Sequence, residues 1–536
     1  MACRFSAFFS PDAAQKAGCF EEAGSPDFPR DPLITGLEYD SRKVKSGNVY
    51  FALRGLHTDG HRYIGQAIER GAAVIVHEDE TIKKDPRALY LRVRNSRFAM
   101  SPIAASFYGY PSQRMTCIGV TGTEGKSTTV YLIWQLLTLM GKKAGFFSTV
   151  LSSVGGEAEP NREHQTTPEA PEVQRLLWEM AENGAGYAVV EASSHGLSPK
   201  TNRLGDVEFS AAVMTNVTHE HLEFHGTWEQ YRNDKANLFR ALRRQGVLST
   251  FGVINADDPS GPSFSTAAGN VKILKFSVRG LQADLSLGSI ISDTGGNWYN
   301  VAVQQTGEII DIRDRLPGAF NAGNVLAALL VVSELLDVPA GDLAPLAARL
   351  RPLKGRMTKI PNTLGIELLV DYAHTPSSFL TIFPPLREGL DRAPESPDGK
   401  GRLICVFGSA GERDTQKRPL QGKIAASYAD IIILCNEDPR GEDPVNILEE
   451  IAAGCMEGNP GLQRGQNLFL IPSRPAAIRK ALFLARKGDM VLLLGKGHEN
   501  SIICADGPHP YDEIGEAEKA AAELQNEYLN HETKFP

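Results

Sequence analysis

Short apolar runs, each closing on a polar or glycine-rich turn, alternate with longer stretches of helical periodicity through most of this 536-residue chain. That rhythm predicts βαβ units and a mainly parallel sheet. Up to about Ser112 the runs are Val49 to Leu53, Ala73 to Val76 and Leu91 to Val93, divided by Gly, Asp and charged turns, which suits a small α/β domain. The Tyr110-Pro111-Ser112 turn marks its end. From Met115 to about Pro352 the strands Cys117 to Val120, Tyr187 to Val190 and Ala211 to Met214 alternate with helices, among them Thr128 to Met140, which Gly141 closes, and Trp228 to Leu242. A third block opens near Gly355 with runs at Glu367 to Val370, Leu403 to Phe407, Ile431 to Leu434 and Met490 to Leu494, each ending in loop-type residues. The expected fold is therefore α/β in three domains, 1–112, 113–352 and 353–536. A central P-loop-type, mainly parallel sheet is flanked in sequence by a small N-terminal α/β domain and a C-terminal Rossmann-like one. The segment Gly389 to Gly401, rich in Pro, Asp and Gly, reads as an exposed loop.

Length alone calls for about three or four domains, and 42% hydrophobic with 22% charged residues is ordinary for a globular chain. A net charge of -8 argues against a general nucleic-acid binder, which needs clustered Lys and Arg, but leaves a nucleotide substrate open. Seven cysteines are scattered without C-x-x-C spacing and suit a reducing cytoplasm. The apolar patch after Arg4 is broken by Ser6, Ser10 and Pro11, and no run approaches membrane-spanning length, so neither secretion nor membrane insertion is expected.

The strongest chemical signal is Gly122-Thr123-Glu124-Gly125-Lys126-Ser127, placed between a strand and the helix that Thr128 opens. Glycines there leave backbone N–H groups free to face oxyanions. The helix N-terminus adds its dipole, Lys126 a point charge, and the Ser127 hydroxyl a ligand for magnesium. The first glycine lies closer to Gly125 than the full P-loop consensus requires. Glu191, at the end of the strand from Tyr187, offers a carboxylate oxygen of the hard kind magnesium prefers. His219, His221 and His225 follow the strand Ala211 to Met214; without accompanying cysteines they are a weak zinc signal, and His219 and His225 read as hydrogen-bonded or surface residues.

Taken in order, several segments make the chain resemble the Mur ligase family: Gly122 to Ser127, Glu191-Ala192-Ser193-Ser194-His195-Gly196-Leu197, His221 to Thr227, Lys235-Ala236-Asn237-Leu238-Phe239, Asn321 with Asn324, Gly355-Arg356, Asp371 to Pro376 and Gly495-Lys496-Gly497-His498-Glu499. Asp40-Ser41-Arg42 and Thr166-Thr167-Pro168-Glu169 are similar to the branch that adds a diamino acid. The similarity spans residues from about 33 to about 520. It implies an ATP-dependent amide ligase of peptidoglycan precursor synthesis, acting on UDP-MurNAc-L-Ala-D-Glu through an acyl phosphate. The implied partners are that UDP-sugar dipeptide, ATP and a diamino acid, with magnesium, in a cytoplasmic monomer. By the same resemblance residues 1–112 bind the UDP-sugar, 113–352 bind ATP and 353–536 bind the amino acid.

Residue by residue, the resemblance implies that Ser127 and Glu191 hold one magnesium ion and that His221 helps to hold a second. It places Gly122 to Thr128, Asn321, Asn324 and Asp371 at ATP, with Lys126 and Arg356 neutralising phosphoryl charge. Ser41, Thr166, Thr167, Ser193 and Arg203 surround the UDP-sugar-peptide, although Ser198-Pro199-Lys200-Thr201-Asn202-Arg203 lacks the usual Gln before its Arg and is longer. Lys235, an ordinary helix lysine by composition, becomes in the resembled family a carbamylated lysine that ligates magnesium; carbamylation turns a repelling ammonium into an anionic oxygen ligand. Arg413, Arg440, Gly495 and Glu499 match positions around the incoming amino acid, with Glu437, Asp438 and Pro439. Enzymes for meso-diaminopimelate carry Asp-Asn-Pro-Arg at the position of Glu437-Asp438-Pro439-Arg440. Arg440 suits a distal carboxylate and Asp438 the bare ammonium of lysine or ornithine, which tilts the reading slightly toward the latter. The competing readings are a folylpolyglutamate synthase-like ligase, opposed by the Thr-Thr-Pro-Glu and Asp-Ser-Arg segments, and a nucleotide-dependent switch, for which a GTPase Asn-Lys-x-Asp motif is missing.

Overall fold

Strand Thr116–Thr121 lies inside a sheet ordered Glu159–Pro160, Leu151–Ser153, Ala144–Phe147, Tyr187–Glu191, Thr116–Thr121, Ala211–Met214, Phe251–Asn255, Lys272–Ser277 in the computed structural model. From Ala144–Phe147 onward the pairing is parallel; the two short strands before it are antiparallel. The structure describes all residues except 1, 20–30, 56–57, 162–164, 219–221, 243–249, 294, 393–399 and 533–536. The chain packs as two compact units, residues 1–276 with 330–335 and residues 277–329 with 336–536.

In the first unit the chain leaves Thr116–Thr121 for Ala144–Phe147, returns through Tyr187–Glu191, and crosses to Ala211–Met214 on the opposite flank. Connections that diverge in this way open a crevice at the carboxyl ends of the strands. Central strands such as Ala211–Met214 are buried on both faces, which is why their sequence is continuously apolar. Gly119 has a packing role: a Cβ there would meet Leu238 Cδ1 at 2.5 Å. Its absence lets helix Trp228–Leu242 lie close over the strand and carries Lys235, one turn before Phe239, to the strand's end.

The same unit contains a four-stranded parallel sheet, Gly36–Glu38, Asn48–Phe51, Val74–His77 and Leu89–Arg92 in that order; the last three lie within a residue or two of the expected runs, and Gly36–Glu38 was not anticipated. Helix Ser96–Phe107 packs on it. The broken apolar patch at the start of the chain belongs to its core: Phe5, Phe8 and Phe9 are buried, and Phe8 meets Phe107 edge to face.

In the second unit, Leu285–Asp293, Gly296–Val303 and Ile309–Asp314 form an antiparallel meander that the βαβ reading did not anticipate. Its residues alternate between buried and exposed, so its hydrophobic signal is half that of a central strand. The six-stranded sheet that follows is ordered Thr358–Lys359, Glu367–Asp371, Met490–Leu494, Leu403–Phe407, Ile431–Leu434, Leu468–Leu470, parallel after the first pair. Apolar cores lie on both of its faces. Helix Pro376–Arg392 runs into the segment read as a loop, so Gly389 to Arg392 are helical; 393–399 lie outside the described residues. No single helix among the described residues is long and apolar enough to cross a membrane.

Candidate active site

The turn at Gly122–Gly125 joins its strand to helix Lys126–Leu139, and Gly125 caps that helix at φ 81°. A glycine N-cap brings no side-chain oxygen to the first-turn N–H groups, which stay available for an anion. The turn is held from one side by the loop after Ala211–Met214. Thr123 N donates to Asn216 O at 2.8 Å, Glu124 N to Asn216 Oδ1 at 2.8 Å, and Thr215 Oγ1 to Glu124 O at 2.6 Å. The fit is tight enough that a Cβ on Gly122 would stand 1.8 Å from Thr215 Oγ1. Lys126 folds back and donates to Thr123 O at 2.8 Å, and Ser127 is buried beside it in sequence.

Glu191 ends the neighbouring strand, in register with Val120, with its carboxylate buried. Thr149 orients that carboxylate through its N–H at 2.8 Å and its hydroxyl at 3.1 Å. Thr167 ties the same strand end to the next loop, its hydroxyl donating to Glu191 O at 2.7 Å and accepting from Ser193 N at 3.0 Å. Ser193 in turn caps helix Ser194–Leu197 by accepting from Gly196 N. Thr167→Val keeps the shape but deletes both bonds at a buried site. It is expected to cost about 1–3 kcal/mol of stability, which the shift in denaturant midpoint checks.

Lys235 is fully buried, donates to Gly122 O, and lies 4.4 Å from the centre of the Tyr231 ring. Tyr231 itself reaches the Gly122–Gly125 turn, its hydroxyl 3.0 Å from Thr123 Oγ1. Beside Lys235, Asp234 bonds His225 Nδ1 at 2.8 Å and accepts from Gln230 Nε2 at 2.7 Å. Burial opposes ionisation of Asp234, but bonds from His225, Ser198 and Gln230 outweigh it and lower its pKa. His225 is thus a buried, hydrogen-bonded residue; His219 and His221 lie outside the described residues.

Arg203 donates to Thr167 O at 2.8 Å and to Glu169 Oε1 at 2.9 Å, and Arg97, from helix Ser96–Phe107 on the four-stranded sheet, donates to that same oxygen at 2.7 Å. Ser41 is buried and bonded to Gln66, and Thr166 is half-buried next to Thr167.

In the second unit, Asp371 ends its strand buried, with its two carboxylate oxygens accepting from Met357 N and Ala373 N, each at 2.7 Å. Burial raises its pKa against the pull of Arg356 and of those N–H groups. Arg356 stacks 4.6 Å from the centre of the Tyr372 ring. Nearby His498 is held neutral, its pKa lowered to about 3 by burial and then by Arg356 and Lys496. Asn321 and Asn324 open helix Asn321–Leu336; Asn321 donates to Pro317 O at 2.7 Å and accepts from Asn324 at 3.0 Å.

Acidic residues gather at the carboxyl ends of Ile431–Leu434 and Met490–Leu494. Buried Lys496 pairs with Asp438 at 2.8 Å and with Glu499, and Asp438 Oδ1 also accepts from Ile503 N. Burial disfavours the Lys496 charge, yet Glu499 and Asp438 outweigh it and raise the pKa. Glu437 is buried against Gly495, its Oε2 without a hydrogen-bond partner. Arg440 holds φ 54° by pairing its N–H with Ile503 O, while its buried Nε has no hydrogen-bond partner; Arg413 is exposed. Sequence reasoning missed Thr149, Asn216, Tyr231 and the pairing of Lys496. The polar ending of each strand hinted at Thr149, Asn216 and Lys496; Tyr231, inside helix Trp228–Leu242, gave no such signal.

Residues 33–108 match the Mur ligase family catalytic domain, 120–332 the Mur ligase middle domain, and 355–497 the Mur ligase glutamate ligase domain. The UDP-N-acetylmuramyl-tripeptide synthetase of Treponema denticola is 48% identical over 91% of this chain and 93% of its own. The UDP-N-acetylmuramoyl-L-alanyl-D-glutamate--2,6-diaminopimelate ligase of Syntrophomonas wolfei is 36% identical over 93% of this chain and 96% of its own. A solved UDP-N-acetylmuramoyl-L-alanyl-D-glutamate--2,6-diaminopimelate ligase superposes with a TM-score of 0.60 at 29% identity, covering 95% of this chain and 99% of that one. A glycine-capped turn before a helix, a buried strand-end carboxylate and the matches on all three blocks thus agree: the chain belongs to the Mur ligase family of ATP-dependent ligases.

Proposed function

We propose that this chain couples ATP hydrolysis to an amide bond between the D-glutamate carboxylate of UDP-MurNAc-L-Ala-D-Glu and the amine of a diamino acid. The observation that carries the reading is the phosphate turn, with Lys126 beside it, buried Lys235 bonded to Gly122 O, and the Glu191 carboxylate at the next strand end. A carboxylate is a poor electrophile. Transfer of the γ-phosphoryl group forms a new P–O bond to it and releases ADP. The amine nitrogen then attacks the acyl carbon, the C–O bond to phosphate breaks, and the amine loses a proton. Positioning and charge neutralisation supply most of the acceleration in phosphoryl transfer, which gives Lys126 and Arg356 their roles.

The donors present fit magnesium: the Ser127 hydroxyl and the Glu191 carboxylate, which Thr149 orients, are hard oxygen ligands. When bound, magnesium neutralises phosphate charge. Carbamylated Lys235 and His221 are proposed for a second ion. Residues 1–112 are assigned to the UDP-sugar, 113–352 to ATP and 353–536 to the amino acid, in a cytoplasmic monomer.

For the amino acid, Asp438 already compensates Lys496, whereas Glu437 keeps an unpartnered buried oxygen. Glu437 is therefore the better acceptor for the distal ammonium of lysine or ornithine, and Arg440 for a carboxylate. Glu437→Gln is expected to lower kcat/KM for lysine or ornithine roughly fivefold to 150-fold, the equivalent of about 1–3 kcal/mol, and Asp438→Asn to alter the choice far less. Competition among lysine, ornithine and meso-diaminopimelate measures it; a preference for meso-diaminopimelate that Glu437→Gln leaves unchanged assigns selection to Arg440. The reaction itself is tested by phosphate release from ATP, expected only when UDP-MurNAc-L-Ala-D-Glu and a diamino acid are both present. Release independent of either substrate would favour a nucleotide switch.

A further inference from the structure

Arg474 and Glu513 form a wholly buried ion pair, each side chain 0% exposed. Arg474 begins helix Arg474–Leu484 and Glu513 begins helix Glu513–Glu532, so neither lies on the strands that carry the amino-acid residues. The contact is two-pronged: Nε to Oε2 at 2.7 Å and Nη2 to Oε1 at 2.6 Å. Tyr511 donates a further bond to Oε2. The remaining donors go elsewhere: Nη2 reaches Leu494 O at 2.6 Å and Nη1 reaches Asn436 O at 3.2 Å.

Those two carbonyls are specific in position. Leu494 is the residue before Gly495-Lys496, and Asn436 the residue before Glu437-Asp438. Their strands are not neighbours, because Leu403–Phe407 lies between them. One guanidinium thus bridges two strand ends about 10 Å apart in the sheet. Replacing a buried ion pair by apolar residues of similar volume is often neutral or stabilising, so the pair is weak evidence of a purely stabilising role. The forked geometry accounts for the arginine, because donors spread over three nitrogens reach a carboxylate and two carbonyls of separate strands at once, whereas a lysine's three donors leave a single nitrogen.

We propose that Arg474, oriented by Glu513, is a positioning residue that locks the Asn436–Arg440 and Gly495–Glu499 segments in the spacing that recognises the amino-acid substrate. The proposal rests on the reading of that cluster as the amino-acid site. It distinguishes the diamino acid from ATP by degree, because the Asp371 carboxylate is fixed by Met357 N and Ala373 N, outside both segments, and only its backbone carbonyl meets them, accepting from Gly495 N at 3.2 Å.

The test uses the full-length protein and two variants, Arg474→Lys and the charge-free pair Arg474→Met with Glu513→Leu, the latter chosen to keep the fold. In both, KM for the diamino acid is expected to rise tenfold or more while KM for ATP stays within about threefold. A folded double variant with unchanged KM for the diamino acid overturns the proposal. So does an equal rise in both KM values. Amide exchange without substrate separates this idea from the functional reading: exchange should quicken in 436–440 and 495–499 but not in helix Lys417–Tyr428. Unchanged exchange in both segments overturns the clamp. Quickened exchange, with a wild type that consumes no diamino acid, supports the clamp and overturns only the assignment of what it serves.

Discussion

Lys126→Ala should lose ligation by about 10²–10³-fold or more, the scale seen when one preorganised charge or donor facing a developing anion is removed, while the protein stays folded. The Lys126 side chain is half-buried, and its bond to Thr123 O contributes about 0.5–1.5 kcal/mol at most. The turn itself is held by Asn216 and Thr215, which the substitution does not touch. Rate and melting temperature should therefore separate. Near-normal turnover in a folded Lys126→Ala protein would remove the nucleotide from this turn.

Lys235→Ala should be as damaging, and for a different reason. The lysine is buried beside the turn, so its removal leaves the Gly122 carbonyl short of a partner and costs about 1–3 kcal/mol. If its function is to become a carbamate and present oxygen to magnesium, an alanine leaves a cavity that acetate or formate can enter. Those small carboxylates should then restore part of the activity to Lys235→Ala and none to Lys126→Ala. Labelled bicarbonate should give a carbamate signal in wild type that the variant lacks. Full activity of Lys235→Ala, or wild-type activity with no carbamate signal, would refute the modification.

Strands buried on both faces were legible down to their ends. Leu403–Phe407, Ile431–Leu434 and Met490–Leu494 begin and stop where the apolar runs do, because a strand buried on both faces reads as one short apolar run bounded by turn residues. The meander at 285–314 escaped notice for the converse reason: half its side chains face solvent, and its turns carry no helix between them. Within the site, the turn at Gly122–Gly125, with its flanking strand and helix, could be read because strand, glycines, Lys-Ser and helix are contiguous. Its restraint by Asn216 could not, since that partner is 92 residues away. Likewise Asp438 looked in sequence like an open anion, and only the fold brings Lys496 to it, 58 residues on.

Two arginines sharing a single oxygen of Glu169 give the chain a compatibility rule. Arg97 comes from the helix packed on the small N-terminal sheet, and Arg203 from the loop that braces Thr167, so the carboxylate is a joint between parts that recombination would otherwise treat as separable. An N-terminal block exchanged between relatives would bring its own residue to position 97 while leaving Glu169 and Arg203 behind. Where that residue carries no cation, a nearly buried carboxylate faces one guanidinium instead of two, next to the threonine that aligns Glu191 and Ser193. Exchange of the block is therefore constrained by a charge count at one oxygen, and Arg97 and Glu169 must travel together for the seam to close.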